Sequence, residues 1–527
     1  MVDNRAFAPV RLARKDRMLL LPDWAVPVVR HRGLVRATLT LALSTLALAA
    51  RAQDSPLANA DDSISVADPN VAPAAPPPTQ ASARELAYGT IASNVGSIVA
   101  AQDVPGGALA IIEGRRVRFV TGFGLKEHGG SAAVDADTRF RIGSITKTFT
   151  AALAMQLVAD RLVSLDAPVT RYLPTLQLQP PNDPRGLTLR RLLSHTGGVP
   201  DYVEFSCPPD EHKLSSWFAE HPNLTLWTPP GRLYSYSSLG YSLAGLVLER
   251  AAGSPYHQLV EERILAPLAL DSMTYDVSEA LAGNHASGYS PGAATDPTSM
   301  ACGLTEPPGY LWSSVKDLAH FASTLLRGGD HVLDARGLRL MQAKQTPTDP
   351  SALSWYGLGL FEVTFRGVRV VGHNGAMPGY RSAMWLAPDR GLAVIILLNG
   401  DRVDPDPLAF GTIGALLGLP EEPPVDRTTP PSSWGDYTGV YDDEQDPTAF
   451  PVPWIGKVSV VLENEQLVIH YDNGGRIPLQ QVAGDVWLSL LSEQVVVPIT
   501  FWRDRAGRVE YIATRTGALH RVGDLPQ

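Results

Sequence analysis

The chain of 527 residues contains only two cysteines, Cys207 and Cys302. Two are too few for a disulfide scaffold or for a cysteine-based zinc site. The sequence leaves open whether they form one bridge or remain two buried thiols, because neither flanking segment fixes their separation. No His, Cys, Asp or Glu cluster has metal-ligand spacing, and no glycine motif would hold a phosphate. The sequence therefore predicts no metal and no cofactor.

Positive charge is also scarce. Lys and Arg together number 44 against 54 Asp and Glu, which gives a net charge of −10. Such a chain repels phosphate backbones, so nucleic-acid binding would require a local basic patch, and the sequence has none. The predicted partner is a small-molecule or peptide substrate, and the oligomeric state is left open.

Long hydrophobic runs are absent. The most apolar stretch, residues 37–50, is shorter than the ~20 residues that a membrane-spanning helix needs, so no transmembrane span is predicted. Arg30, Arg32 and Arg36 precede it, and the small-x-small triplet Ala50-Arg51-Ala52 follows it. This is the layout of a secretory signal cleaved after Ala52, and it predicts an exported protein, periplasmic or secreted. The alternative is an amphipathic or buried helix.

Apolar residues are nevertheless plentiful, at 44% of the chain, which is enough for a large core. Changes in composition divide the chain into five parts. These are a leader with the signal peptide (1–52), a disordered Ala/Pro-rich linker (53–83), a globular domain (84–419), a proline-rich linker (420–432) and a C-terminal domain (433–527).

The hydrophobic periodicity of the globular domain predicts an α+β fold. Strands are expected at 107–112 and 117–123 and again late in the domain, at 356–363, 368–372, 381–386 and 392–398. A helix is expected at 144–160. The prediction is an antiparallel sheet flanked by helices, with a helical subdomain.

The C-terminal domain has a different pattern of short alternating strands. They are expected at 458–462, 466–471, 495–502 and 508–514, separated by turn sequences. The prediction is an antiparallel meander or small all-β barrel.

The first candidate catalytic motif is Ser144-Ile145-Thr146-Lys147. Residues three apart at the start of a helix project from one face, so the hydroxyl and the amine can touch. The helix N-terminus favours negative charge on the serine oxygen, and a neutral amine can accept its proton. A second Ser-x-x-Lys match at 313–316 is weaker, because Ser314 and Asp317 there have the spacing of a helix cap.

Two further motifs follow in order. Tyr236-Ser237-Ser238 precedes a helix expected at 243–250, and His373-Asn374-Gly375 comes at the end of an expected strand. Tyr236 alone would be an ordinary aromatic residue. Serine–lysine, then tyrosine-x-polar, then basic-x-glycine is the motif order of the penicillin-recognising serine hydrolases.

Supporting segments strengthen the resemblance: 140–143 (Phe-Arg-Ile-Gly), 192–198 (Leu-Leu-Ser-His-Thr-Gly-Gly) and 309–314 (Gly-Tyr-Leu-Trp-Ser-Ser). From Leu86 to Leu419 the chain resembles the serine β-lactamase and penicillin-binding-protein family. The branch holds class C β-lactamases, D-Ala-D-Ala carboxypeptidases, D-aminopeptidases and β-lactamase-like esterases. The C-terminal domain resembles the lipocalin-like modules that follow some of these hydrolases.

The resemblance implies a role for each matching residue. Ser144 would be the nucleophile, and Lys147 and Tyr236 would relay its proton to the leaving group. The backbone N–H groups of Ser144 and Ala376 would form the oxyanion hole. The residues implied in substrate binding are Ser238, His373, Asn374 and Gly375, and Gly375 would let its strand lie close to the substrate.

Two positions depart from typical class C β-lactamases, which have lysine in place of His373 and asparagine in place of Ser238. Histidine is only partly charged near pH 7, so a fixed cation for a substrate carboxylate is weakened. These departures favour an esterase or a peptidase with weak or no β-lactamase activity. The alternatives are a class C-like β-lactamase and a catalytically inactive binding protein. The intact Ser144, Lys147 and Tyr236 argue against the second.

The proline-rich linker 420–432 is expected to be a semi-rigid spacer rather than a packed continuation of the fold. A chain ending near Leu419 is therefore predicted to keep Ser144 reactive. The alternative is that the C-terminal domain completes the active-site cleft.

Overall fold

The structure is a computed structural model. It describes residues 80–180, 182–201, 214–291, 293–352, 354–421, 428–442, 457–472, 474–490, 496–514 and 517–525. The predicted signal segment, most of the first linker, Cys207 and residues 422–427 lie outside the described residues.

A large antiparallel sheet organises the first domain. Its eight strands are β1 (Gly106–Glu113), β2 (Arg116–Gly124), β9 (Thr346–Pro347), β10 (Ser354–Tyr356), β11 (Phe361–Phe365), β12 (Val368–Met377), β13 (Tyr380–Ala387) and β14 (Leu392–Leu398). Their order is β2-β1-β14-β13-β12-β11-β10-β9, so β1 lies between its hairpin partner β2 and the late strand β14. Short two-stranded pairs complete the domain: β3 (Arg139–Arg141) with β8 (Trp312–Ser314), β4 (Gln177–Leu178) with β5 (Asn223–Leu224), and β6 (Tyr289–Ser290) with β7 (Ala293–Ala294).

Helices cover both faces of the sheet. They are α1 (Gln80–Ala100), α2 (Thr146–Ala159), α3 (Leu189–Leu193), α4 (Leu214–Glu220), α5 (Ser238–Ala252), α6 (Tyr256–Val260), α7 (Val277–Ala282), α8 (Glu306–Gly309), α9 (Val315–Leu326), α10 (Ala335–Gln342) and α11 (Asp406–Leu417). A 3₁₀ turn, Gly143–Ile145, leads into α2, and a π-helical turn, Glu261–Leu265, follows α6.

Two hydrophobic cores result, one on each face of the sheet. Along β1, Ala108, Ala110 and Ile112 belong to the core on the side of α9 and α2, whereas Leu109 and Ile111 belong to the core on the side of α1. This alternation follows from the two-residue period of a strand. The core on the α2 side is the larger of the two and surrounds the candidate site.

The C-terminal domain is a closed antiparallel barrel. Its strands are β15 (Gly439–Asp442), β16 (Val458–Glu463), β17 (Gln466–Tyr471), β18 (Arg476–Ala483), β19 (Val486–Leu490), β20 (Val496–Arg503), β21 (Val509–Thr514) and β22 (Gly517–Gly523). Pairing of β15 with β22 closes it. Buried aromatic residues, including Tyr441, Trp487 and Phe501, fill its interior.

The predicted fold class is confirmed, and three details differ from the predictions. The single strand expected at 356–363 is a hairpin, β10 and β11, because Gly357 turns the chain and donates its N–H to the Leu360 carbonyl at 2.8 Å. The strand expected to end at 372 continues as β12 to Met377, so the His-x-Gly motif lies inside it. Helix α1 begins at Gln80, within the segment expected to be a disordered linker.

The barrel packs against the first domain through the loop before α5. The prediction that 420–432 forms a semi-rigid spacer stays a prediction, because residues 422–427 lie outside the described residues. Arg232 forms an ion pair with Glu510 of β21. Leu233 is buried in an apolar cluster with Tyr511, Ala513 and Ala518 of the barrel. The physical reason is that the loop before α5 presents apolar surface that the barrel covers.

Two further observations concern export and the membrane. Within the described ranges, no helix is both long enough and apolar enough to cross a bilayer. Cys302 is disulfide-bonded, and the other cysteine of the chain, Cys207, lies outside the described residues.

Candidate active site

Ser144 lies in the 3₁₀ turn before α2, and its side chain is half-buried. The preceding Gly143 has φ +53°, in the left-handed region that glycine adopts without strain. A Cβ atom on Gly143 would lie 2.6 Å from the backbone nitrogen of Ala376 in β12. Glycine at this position therefore lets the turn that carries Ser144 lie directly against the strand that carries the third motif.

Lys147, one helical turn further on, points back to Ser144. Its side chain is fully buried, and its Nζ lies 3.0 Å from Ser144 Oγ, 2.8 Å from the Pro308 carbonyl oxygen and 3.4 Å from Ser238 Oγ. The amine also lies over the ring of Tyr236, 4.8 Å from its centroid. The structure thus places the Ser144 hydroxyl and the Tyr236 ring beside the Lys147 amine, so the three predicted catalytic side chains lie together.

The loop that carries Tyr236 is supported by His195. The Ser235 N–H donates to the His195 carbonyl at 2.8 Å, and the Ser237 N–H donates to His195 Nδ1 at 3.0 Å. Ser237 Oγ then caps α5 by accepting from the Gly240 N–H at 2.8 Å. His195 has φ +56° and is buried, so it is the turn residue that supports this loop.

His373 of β12 is buried among aromatic rings rather than exposed in an open pocket. Its Nδ1 lies 2.5 Å from the Asn374 carbonyl oxygen, and its Nε2 lies 3.0 Å from the Tyr356 hydroxyl. Burial raises the pKa of Tyr356 well above its ordinary value, so this phenol stays protonated and can donate. His373 Nδ1 donates to the Asn374 carbonyl, and the contact with Tyr356 fixes the orientation of the ring.

The alternation of β12 separates the predicted binding residues. His373 and Gly375 face α2, whereas Asn374 faces α11 and donates from Nδ2 to Asp406 Oδ2 at 2.6 Å. The prediction that Asn374 binds substrate is therefore corrected: its side chain is on the opposite face of the sheet. Its role in the structure is to fix the start of α11 on the sheet.

Gly375 permits a close approach within the protein. A Cβ atom there would clash with the Ile142 carbonyl oxygen and the Ser382 hydroxyl, which already hydrogen-bond to each other at 2.8 Å. The segment 142–144 can lie against β12 only because residue 375 has no side chain.

Gly375→Ala is therefore expected to push β12 away from the Ser144 turn, lowering stability by about 1–3 kcal/mol and slowing reaction at Ser144. Thermal unfolding and the rate of covalent labelling measure the two effects. Gly89→Ala in α1 is a matched control, because a Cβ there meets nothing within 4 Å. Unchanged stability and labelling in Gly375→Ala would contradict this account.

Some contributors to the site were not recognised in the sequence. The Pro308 carbonyl precedes the recognised segment 309–314, and a backbone acceptor has no side-chain signal. Tyr356 comes to His373 by strand pairing, which local sequence does not reveal. Asp201, which accepts the Ser238 N–H at 2.5 Å, lies in a loop with no regular pattern. The prediction that the second Ser-x-x-Lys match is a helix cap is confirmed, since Ser314 Oγ caps α9.

The described residues contain no group of three or more His, Cys, Asp and Glu side chains arranged to hold a metal ion. The arrangement at Ser144 offers instead a hydroxyl, a buried amine, a phenol and backbone donors. Such a set can carry out nucleophilic acyl transfer.

An antiparallel sheet with this serine, lysine and tyrosine on one face is the architecture of the penicillin-recognising enzymes. A family model described as beta-lactamase matches residues 91–414, and a second, described as a domain of unknown function (DUF3471), matches residues 423–523. The chain therefore belongs to the β-lactamase family.

Known proteins agree with this assignment. Penicillin-binding protein 4 of Amycolatopsis lactamdurans is 28% identical over 313 residues, which cover 56% of this chain and 81% of that protein. The chain spans 58–60% of the length of other curated relatives that it matches.

Two solved structures are similar to this protein. The octameric penicillin-binding protein homologue from Pyrococcus abyssi matches with a TM-score of 0.59 and 23% identity, over 82% of this chain and 99% of that chain. This likeness shows the fold. A D-stereospecific amidohydrolase from Streptomyces sp. is 28% identical, with a TM-score of 0.53, over 63% of this chain and 99% of that one.

Proposed function

We propose that the protein is an exported serine hydrolase that cleaves a small amide or ester through an acyl-enzyme on Ser144. The single observation that carries the proposal is the position of the Lys147 amine, buried and 3.0 Å from Ser144 Oγ. A buried amine in contact with a half-exposed hydroxyl has the geometry of a base beside its nucleophile.

In the acylation step, neutral Lys147 accepts the Ser144 proton as Oγ attacks the substrate carbonyl carbon. The oxyanion of the tetrahedral intermediate receives hydrogen bonds from the backbone N–H groups of Ser144 and Ala376. The intermediate then collapses, and the C–N or C–O bond breaks. The leaving group takes up a proton that passes from Lys147 through Tyr236, whose ring lies against the amine.

In the deacylation step, a water molecule replaces the leaving group. It gives a proton to the same lysine–tyrosine pair and attacks the acyl carbon, and Ser144 Oγ leaves with a proton. The acid product departs, and Lys147 is neutral again. Both steps use the same oxyanion hole, so one set of donors lowers both barriers.

The surroundings of His373 favour esters or D-amino-acid peptides over β-lactams. Both ring nitrogens of His373 are engaged within the protein. Because the ring is enclosed and both nitrogens already have partners, His373 is not placed as the fixed cation that a β-lactam carboxylate would use. The similarity to a D-stereospecific amidohydrolase supports an amide substrate class.

A hydrolysis panel tests the substrate class. Short-chain p-nitrophenyl esters and D-Ala-D-Ala peptides are expected to be hydrolysed with higher kcat/KM than nitrocefin. Ser144→Ala run in parallel separates enzymatic from background hydrolysis. Nitrocefin as the best substrate would favour the alternative, a class C-like β-lactamase. If no probe labels Ser144 under any condition, the result would favour the other alternative, a catalytically inactive binding protein.

Export is the remaining part of the proposal. It is supported by the signal pattern that ends at Ala52 and by the disulfide at Cys302, since disulfides persist in oxidising compartments. Determining the N-terminus of the mature protein tests it. A start at Gln53 supports export, and an uncleaved cytoplasmic chain contradicts it.

A further inference from the structure

The loop between Arg232 and Tyr236 lies between the candidate active site and the barrel. On one side its backbone hydrogen-bonds to the turn at His195. On the other side Arg232 pairs with Glu510, and the Arg232 guanidinium lies 5.8 Å from the ring centroid of Tyr511. The residues that touch the barrel are thus only a few positions before Tyr236.

The barrel meets this loop with outward-facing side chains. Trp502 and Tyr511 are paired across β20 and β21, so their side chains project from the same face. Their neighbours Phe501 and Ile512 point into the barrel core. Trp502 and Tyr511 therefore present apolar surface on the outside of the barrel, where it is covered by the first domain.

Trp502 reaches the aromatic cluster to which Tyr236 belongs. It packs against a cluster formed by Tyr234, Tyr236 and Tyr356. Its indole N–H donates to Thr500 Oγ1 at 3.0 Å, which fixes the orientation of the ring on the barrel. An aromatic side chain held by the second domain therefore packs against the cluster whose member Tyr236 lies beside the Lys147 amine.

We propose that the barrel positions Tyr236 for catalysis, with Trp502 as the positioning residue and the Arg232–Glu510 ion pair fixing the loop. This inference rests on the proposed function, in which Tyr236 passes the proton. Misplacement of a reacting group by about 1 Å can cost roughly 100-fold in rate, so a second domain that fixes Tyr236 has a kinetic effect even though it carries no reacting atom.

The first test compares Trp502→Ala with Trp502→Phe in the full chain. The measurement is the second-order rate of Ser144 labelling by a small fluorophosphonate probe, with thermal unfolding in parallel. Trp502→Ala is expected to slow labelling roughly 10- to 100-fold, and Trp502→Phe is expected to recover most of the rate. The control is Leu462→Ala, an exposed residue of β16, which is four strands from β20 around the barrel. Its rate should be unchanged.

The second test repeats Trp502→Ala in a Tyr236→Phe background. If Trp502 acts through Tyr236, the additional loss in that background is less than about threefold, because residues that act as a unit are not additive. A general loss of structure would instead lower the rate by the same factor in both backgrounds. That result would overturn the proposal.

The ion pair provides an independent variant that preserves the packing. Glu510→Gln is expected to slow labelling several-fold, whereas Glu463→Gln, which removes the partner of Arg476 on the barrel, should not. If Trp502→Ala does not fold, Glu510→Gln and Trp502→Phe still decide the question. Wild-type rates in Glu510→Gln and in a folded Trp502→Ala would refute the inference. Labelling that survives Ser144→Ala would refute the proposed function instead.

Discussion

Ser144→Ala is expected to abolish covalent labelling and turnover while the protein stays folded. The reason is that Ser144 Oγ is the atom in contact with the Lys147 amine, and alanine offers no atom to acylate. The structural cost is small, because the N-cap residues here are Ile142 and Ile145 and even a lost cap costs about 1 kcal/mol. Intact-mass spectrometry after incubation with a fluorophosphonate, with circular dichroism for folding, measures both.

A matched control is available in the second Ser-x-x-Lys sequence. Ser313 belongs to that sequence, but its side chain is buried and its hydroxyl donates to the Ser314 carbonyl at 2.7 Å. It is also distant in sequence from the Ser144 turn. Ser313→Ala should therefore keep labelling and turnover. Turnover retained by Ser144→Ala would place the nucleophile elsewhere.

Lys147→Ala and Tyr236→Phe are each expected to lower the acylation rate by about 100- to 10,000-fold. Each change interrupts the same proton path, one at the amine and the other at the phenol whose ring lies under it. The double variant should therefore be little worse than the poorer single variant. Stopped-flow measurement of single-turnover acylation provides the three rates.

Lys316→Ala is the control for the loss of a lysine. Lys316 is exposed and pairs with Asp137 at 2.8 Å, so its removal should leave the acylation rate unchanged. If the losses in the Lys147 and Tyr236 variants multiplied in the double variant, the two residues would act independently and the shared proton path would be disproved.

Local patterns predicted the elements of the fold well where the periodicity was strong. The strand at 466–471 and the alternation along β1 follow directly from the order of apolar residues. The hairpin β10–β11 was missed because apolar residues continue through its turn, and only Gly357 and Gly359 mark the reversal. Strand order was beyond reach, because the pairing of β1 with β14 joins residues from opposite ends of the domain.

The candidate site was predictable from side-chain motifs and less so from contacts. Ser144, Lys147 and Tyr236 stand in a recognisable order, and the structure brings them together. The substrate-binding role predicted for Asn374 was wrong, because a sequence motif does not show on which face of a strand each side chain lies. Trp502 had no signal, since its importance comes from a docking contact between domains far apart in sequence.

The pairing of early with late strands also sets when the protein becomes active during synthesis. Strand β1 has only its hairpin partner until residues 392–398 emerge from the ribosome, so the sheet and the Ser144 turn assemble late. The barrel then closes only when β22 has been made and pairs with β15. If the barrel holds Tyr236, a chain that stops between β14 and β22 reacts slowly at Ser144, and the full rate appears only after the barrel has closed.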